Sequence, residues 1–302
     1  MTITSGSFAK DLYPGVSKWY GHNYGKWEEI FSQIFEYNKS TRAWEEDMGV
    51  AGLGYATVKT EGNSITYEDM NQTYLDRYVH TTLGLGFIIT REALEDGIAV
   101  TKAMAKAKSL AWSMRVTKEV RGANILNRAF TSTYAYGDGK ELCATDHPHY
   151  SGGTWRNELS TAADLSEAAL EQACIDIDAF ADDKGLLIAV KPRKLIVPPG
   201  LRFEAARILQ SVGRSGTADN DINAIKTLGM FPDGVLVNPY LTDADAWFIK
   251  TDCPEGLKYY ERRKMEFKTE DDFDTENAKF KATERYSFGC TDKRGIFASP
   301  GA

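Results

Sequence analysis

The chain has 302 residues, 42% of them hydrophobic and 12% aromatic, which supplies a sizeable core and excludes a disordered composition. Its 36 basic and 43 acidic residues give a net charge of -7, against a dedicated nucleic-acid binder with a basic surplus. Cys143, Cys174, Cys253 and Cys290 lie 31 or more residues apart with no CxxC pair, so they read as reduced thiols buried as small hydrophobes.

The opening MTITSGSFAKDLYPG lacks the apolar core of a secretory signal, and no run approaches the roughly 18 apolar residues of a membrane span. The expectation is a protein made in a reducing cytoplasm. Residues 1–33 carry Pro14, four glycines and the aromatics Trp19, Tyr20, Tyr24 and Trp27. This is weak helix material with little core of its own, so the aromatics must pack on the rest of the chain or on another molecule. Taken as interface anchors, they predict that removing residues 1–30 leaves a folded subunit unable to associate.

From Trp44 to His80 the chain is glycine-rich and then alternates at Tyr55, Thr57 and Lys59 and again at Ile65 and Tyr67. Glu61-Gly62-Asn63 between the two runs reads as a hairpin turn. An isolated hairpin is marginal in water, so it needs a neighbour to lie on.

Thr90 opens the strongest helical signal, with Glu92 and Glu95 favourable near the positive end of the dipole. Val100, Ala103, Met104, Ala107, Leu110, Ala111 and Met114 form one stripe, with Lys102, Lys106 and Lys108 opposite. Running to Asn127 without a break, this helix would be about 55 Å long, a spine on which other elements rest. Gly97 and Gly122 weaken it locally.

Glycines and prolines between Phe130 and Thr161 mark a long loop region. A second half begins near Asp164, where Asp164 and Glu167 resemble a capping box and Leu170, Cys174, Ile177 and Ala181 form a stripe ended by Gly185. Strands are predicted at Leu186–Val190, Leu195–Val197, Val235–Val237, Trp247–Ile249, Lys258–Glu261, Ala278–Phe288 and Gly295–Ala298, with a short helix at Phe203–Leu209. Ser211–Asp221 reads as a mobile polar segment, and Glu270-Asp271-Asp272 as a solvated turn. The class is α+β with mixed or antiparallel sheets.

Cys143, Asp146, His147 and His149 could suggest a metal, but they match neither CxxC nor HExxH spacing, and Pro148 sets them in an extended loop. A loop with hydrogen-bonding histidines is the expected reading, tolerant of alanine at both His147 and His149. His22 and His80 stand alone. Ser151-Gly152 and Ser215-Gly216 lack the GxSxG elbow, and GLGFII is not a dinucleotide fingerprint. No catalytic, cofactor-binding or metal residue is assigned.

Six segments in order resemble the tailed-bacteriophage major capsid family with the Hong Kong 97-type fold, closest to its Mu-like major head branch. They are GLGYATVKTEGNSITYED, GLGFIITREALEDG, DGKELCATDHPHYSGGTWRN, LIAVKPRKLIVPPGLRFEAARIL, GVLVNPYLTDADAWFI and ERYSFGCTDKRGIFAS, and the resemblance spans residues 45–298. It implies an N-terminal arm at 1–33 and an extended loop at 44–84. It further implies a peripheral domain at 34–43, 85–163 and 259–289, and an axial domain at 164–258 and 290–302. It implies a non-enzymatic shell subunit that self-assembles into hexamers and pentamers of an icosahedral head around double-stranded DNA. Portal, scaffolding and decoration proteins would be its partners, contact with DNA would be non-specific, and no membrane is involved. It would be assembled in the host cytoplasm and reside in the virion. No long scaffold-like segment precedes the arm, so a separate scaffolding protein or none is expected. Lys59 sits where some relatives cross-link to an asparagine, but no asparagine can be paired with it, and it reads as a solubilising charge. Two alternatives stand: an encapsulin-like nanocompartment subunit, and a metal-dependent hydrolase using the 143–149 loop.

Overall fold

A 29-residue helix laid across one four-stranded sheet, and a second four-stranded sheet flanked by shorter helices, make up the body of the molecule. The structure, a computed structural model, describes residues 16–95, 99–213, 222–272 and 274–302. Pro14, Gly97 and the segment from 214 to 221 therefore lie outside the described residues, as do the side chains of Glu95 and Val100.

Helix α1 covers residues 16–24, and a single turn, α2, spans Phe31–Ile34. Strands β1 (Glu36–Lys39), β2 (Trp44–Ala51), β3 (Asn71–Val79) and β4 (Thr81–Ile89) follow. Helix α3 (Arg91–Glu95) precedes α4, Ala99–Asn127, which at 1.5 Å per residue is about 44 Å long. The short pair β5 (His147–Pro148) and β6 (Thr154–Trp155) leads to α5 (Glu167–Asp178) and β7 (Pro192–Val197). Helices α6 (Arg202–Gln210) and α7 (Ala224–Leu228), then β8 (Val235–Val237), β9 (Trp247–Thr251), β10 (Leu257–Asp271), β11 (Ala278–Cys290) and β12 (Ile296–Ser299), complete the chain.

The first sheet has the order β1-β10-β11-β4; β1 is parallel to β10 and the remaining pairs are antiparallel. The expected apolar stripe of α4 lies on it. Ala103, Ala107, Leu110, Ala111 and Met114 are buried against Ile89, Ala278, Phe280 and Ala282, whereas Lys102, Lys106 and Lys108 are exposed. The alanines let the helix axis come close to the strands. Gly122 has a packing reason: a Cβ there would sit 3.3 Å from Phe31 and 3.5 Å from Phe35 and Phe288. What it costs in helix propensity is set against the aromatic contacts of α2.

The second sheet has the order β12-β9-β7-β8. Leu170, Ile177, Leu195, Trp247 and Phe297 fill its core, while Phe31, Leu126, Phe248, Tyr259 and Tyr286 belong to another cluster that ties the two sheets together.

Several expectations shift. Leu186–Val190 is not a strand but a single bridge, Ala181 to Leu187, because Ala189 takes φ 51° and breaks the extended run. Ser166, not Asp164, caps α5 by accepting from the Ala169 N–H at 3.2 Å; Asp164 instead accepts from Ala302. The helix stops at Asp178, and Gly185, at φ 83°, serves the next turn. Helix α7, capped by the Asn223 side chain and closed by Gly229 in the left-handed region, has no sequence signal; its one turn leaves no periodicity to read. The acidic run does end β10, and the Asp272 N–H closes the turn onto Asn277 O at 3.0 Å.

Candidate functional site: the arm, the extended loop and the histidine segment

The aromatic arm folds onto its own chain. Tyr20 is fully buried and stacks on Phe267 with ring centroids 4.7 Å apart, and Trp27 meets Trp112 at 4.8 Å. The Tyr24 hydroxyl accepts from Lys118 Nζ at 2.9 Å and donates to Glu284 Oε2 at 3.1 Å, beside a buried Lys118–Glu284 ion pair of 2.6 Å. Burial works against the Lys118 charge, but Glu284 and then Tyr24 outweigh it and raise its pKa. The Glu119 carboxylate accepts from the N–H groups of Ile30 and Phe31, at 3.0 and 2.9 Å, at the start of α2. Burial pushes this carboxyl above its ordinary pKa against the pull of those two bonds. Trp19 alone of the four aromatics is largely outside, 42% exposed. The prediction of a folded subunit lacking residues 1–30 is therefore corrected: three of the four aromatics belong to the chain's own packing. Propensity missed helix α1 because its stability is tertiary.

The extended loop is one long hairpin. Strands β2 and β3 pair from Trp44 opposite Val79 to Ala51 opposite Asn71, with one shift between Met48 and Val50. Above them the arms stay side by side without a ladder: Glu68 accepts from the Gly54 N–H at 2.9 Å, and the Thr57 and Thr66 hydroxyls lie 3.1 Å apart. The turn falls where expected, with Asn63 N–H on Thr60 O at 3.2 Å and Gly62 at φ 82°, a conformation costly for any side chain. The regular ladder lies nearer the body than the alternating residues implied. Val58 is 93% exposed and Tyr67 84%. Apolar side chains this bare are left uncovered by the described residues of their own subunit.

Two inward-facing carboxylates hold the base of this hairpin, and no sequence pattern singled them out. Asp47 Oδ2 accepts from Lys258 Nζ at 2.7 Å, the Tyr260 hydroxyl at 2.8 Å and the Thr291 hydroxyl at 2.9 Å. Asp76 pairs with buried Lys293 at 2.6 Å and accepts from the Gly137 N–H at 2.7 Å. Burial pushes the Asp47 carboxyl up, but the bonds from Lys258, Tyr260 and Thr291 together hold it below the usual carboxylate range. A depressed folded pKa gives stability that is present above the unfolded value near 3.8 and lost as pH falls through the folded one. Asp47→Asn is thus expected to flatten the acid limb of stability against pH. Urea midpoints measured between about pH 2 and 6 check this; parallel curves for variant and wild type would contradict it.

The four residues of the possible metal cluster go to different neighbours. Cys143 is buried in the core between the sheets, and burial pushes its thiol well above the ordinary range. Asp146 pairs with Lys140 at 2.5 Å near the surface, and His149 lies 3.5 Å from Asp183. His147 is fully buried, with Nδ1 2.8 Å from Asp138 Oδ2, Nε2 3.0 Å from Asn157 Oδ1, and its ring stacked on Trp155 at 4.8 Å. Among the described residues no group of three or more His, Cys, Asp or Glu side chains is placed to hold a metal ion. Burial pushes the Asp138 carboxyl up, but the bond with His147 and the charge of Lys293 more than offset it and lower its pKa. Asn157 is the hub: its Oδ1 also accepts from the Ala144 N–H at 3.0 Å, and its Nδ2 donates to Leu142 O at 2.9 Å and Lys293 O at 3.0 Å. The segment DGKELCATDHPHYSGGTWRN closes around this buried centre. Tolerance of alanine at His147 is corrected accordingly, since that side chain is enclosed and bonded at both nitrogens.

His80, the other buried histidine, sits between the hydroxyls of Ser40 and Ser287 at 2.9 and 3.0 Å; burial, then Arg285, lowers its pKa. No helix among the described residues is long and apolar enough to cross a membrane.

No curated protein sequence matches the chain. The fold does match solved structures over almost its whole length. The capsid of the cyanophage P-SCSP1u aligns with TM-score 0.58 and 10% identity over 91% of this chain and 88% of that one. A virus-like particle from Pyrococcus furiosus gives 0.55 and 11% over 95% and 98%, and the procapsid of bacteriophage JBD30 gives 0.53 and 13% over 99% and 76%. At such identities these likenesses establish the fold, which is the Hong Kong 97-type. A family model described as phage capsid protein matches residues 75–299, three quarters of the sequence, and on that match the chain belongs to the phage capsid protein family.

Proposed function

We propose that this capsid protein is the major shell subunit of a tailed phage, forming hexamers and pentamers that close into an icosahedral head around double-stranded DNA. The observation that carries the reading is the hairpin: an anchored base, an extended shaft, and bare apolar side chains for which a second copy of the chain is the natural cover. The division is the one the sequence resemblance implies; most of each sheet falls within one part, although β4 (Thr81–Ile89) crosses the boundary at 84/85 and β10 begins at Leu257. Residues 34–43, 85–163 and 259–289 make a peripheral domain, 164–258 and 290–302 an axial domain, and 44–84 the loop between subunits. Residues 1–33 act as an arm whose described part packs on its own subunit. The protein has no catalytic centre. It is assembled in the host cytoplasm, meets a portal and scaffolding or decoration proteins, and is carried in the virion. Placement in the Mu-like branch rests on the sequence segments quoted above.

Replacing residues 53–69 by a short glycine linker is the sharpest test. The variant is expected to keep the melting temperature of the wild type, because the residues removed are largely exposed, and to form no closed shells. Electron microscopy of both proteins, with and without scaffold, reads the result. Wild-type protein that stays monomeric or dimeric under all assembly conditions overturns the shell reading. A loopless variant that still closes shells removes the role given to the loop.

A further inference from the structure

Strand β4 is an end strand of the first sheet, a position that proteins protect from other chains with a charge, a proline, a bulge or a covering element. Its sequence TTLGLGFII has no charge and no proline, and it pairs with β11 from Tyr286 opposite Thr81 to Ala278 opposite Ile89 without a shift of register. Six of its nine residues are exposed, among them Leu85 and Ile88, each about half exposed. Gly84 and Gly86 add no side chain that could screen the backbone. Among the described residues, the one side chain that reaches this backbone is Lys106, whose Nζ donates to Ile88 O at 3.3 Å.

The extended loop carries free backbone of the same kind. Its ladder ends at Ala51 opposite Asn71, and residues 64–70 beyond it make no backbone–backbone bond among the described residues. Ile65, Thr66 and Tyr67 are strand formers. Because Thr66 meets Thr57 at 3.1 Å, alternation puts Ser64, Thr66 and Glu68 on one face of this arm and Ile65, Tyr67 and Asp69 on the other. The edge of β4 is two-sided as well. Phe87 stacks on Phe280 beneath α4, so Leu85 and Lys106 lie on the helix side, whereas Lys281, opposite Gly86, lies on the bare side of the sheet. Lys106 and Lys281 are both exposed, with no carboxylate within ion-pair distance among the described residues. An arm laid on this edge with Ile65 and Tyr67 toward Leu85 brings Asp69 to the side of Lys106 and Glu68 to the side of Lys281.

We propose that the free edge of β4 accepts residues 64–70 of a second copy of this chain as an added strand, so that one sheet continues from subunit to subunit. The proposal rests on the shell reading above and names the place where the extended loop lands. Main-chain bonds hold the added strand, while its two carboxylates, one on each face, fix which face turns toward α4. The β4 edge of another copy is a poorer occupant, since it brings Lys106 and Lys281 of two subunits together with no carboxylate to meet them.

The test has two arms. Amide hydrogen exchange compares wild-type protein as free subunits and in purified shells. Exchange in residues 81–89 and in residues 64–70 is expected to slow by about tenfold or more on assembly. The second arm compares Lys281→Glu, Glu68→Lys and the two together. Each single reversal sets like charges side by side and is expected to lower the yield of closed shells by about tenfold or more, and the double reversal to restore it. Equal melting temperatures of the free subunits establish that all four proteins are folded. Wild-type shells whose residues 81–89 exchange as fast as in the free subunit overturn the pairing and leave the shell reading standing. Residues 81–89 already protected in the free subunit overturn it too, by showing that the chain covers its own edge. Protection of 81–89 without 64–70, or a double variant no better than the single ones, means that another segment occupies the edge and overturns the assignment. Wild-type protein that forms no shells under any condition overturns the shell reading, and this pairing with it.

Discussion

Tyr20→Ala is expected to destabilise the subunit by about 3–5 kcal/mol, the range for removing a large aromatic from a well-packed site. Tyr20 is fully buried, stacks on Phe267 and borders Tyr24. Its hydroxyl finds no hydrogen-bond partner among the described residues, so it adds nothing to offset its own burial. Tyr20→Phe should therefore be neutral or slightly stabilising, which separates loss of volume from loss of the hydroxyl. Urea unfolding of the unassembled protein measures both. Removal of residues 1–30 is expected to do more than either, because it also deletes Glu29, the partner of buried Arg115, and the backbone N–H of Ile30 that Glu119 receives. A truncated protein that unfolds like the wild type would show that the described arm is dispensable to the core. An alanine variant within about 1 kcal/mol of wild type would mean that the pocket around Phe267 collapses without cost.

The elements read most directly from sequence are those whose signal is periodic and local. The stripe from Ala103 to Met114 repeats often enough to fix both the helix and its buried face, and the Glu61-Gly62-Asn63 turn is legible because the chain must reverse between two alternating runs. What escaped is of two kinds. Short elements such as α7 and the single bridge at Leu187 carry too few residues for a period to emerge, and the left-handed Ala189 is invisible to propensity. The buried charges are the second kind. Lys118, Glu119, Asp76 and Lys293 look like surface residues in sequence, yet each is paired across more than 80 positions with a partner brought near only by the fold. The histidine segment lies between these cases. Its composition marked a polar loop, but which of Cys143, Asp146, His147 and His149 turns inward depends on Asn157 and on the short turn at Lys293 between β11 and β12.

That hub gives the second large effect. Asn157→Leu keeps roughly the size and shape of the side chain and removes all of its hydrogen bonding. The Ala144 N–H, the Leu142 and Lys293 carbonyls and His147 Nε2 would each lose a partner at a site where Asn157 and His147 are fully buried. At about 1 kcal/mol or more for each orphaned buried group, the loss is expected to reach about 4 kcal/mol. Asn157→Asp retains both bonds accepted by Oδ1 and forfeits the two donations, so it should fall between the leucine variant and wild type. His149→Ala marks the other extreme. His149 is half-buried, with its ring 6.3 Å from Trp155 and its Nδ1 3.5 Å from Asp183 but no hydrogen bond made by the side chain, so its removal should cost only about 1 kcal/mol. The order wild type, His149→Ala, Asn157→Asp, Asn157→Leu in urea midpoint is the expected result. A leucine variant as stable as His149→Ala would show that water or a shift of the 142–157 loop satisfies these groups, and that the DGKELCATDHPHYSGGTWRN segment is not held together by its asparagine.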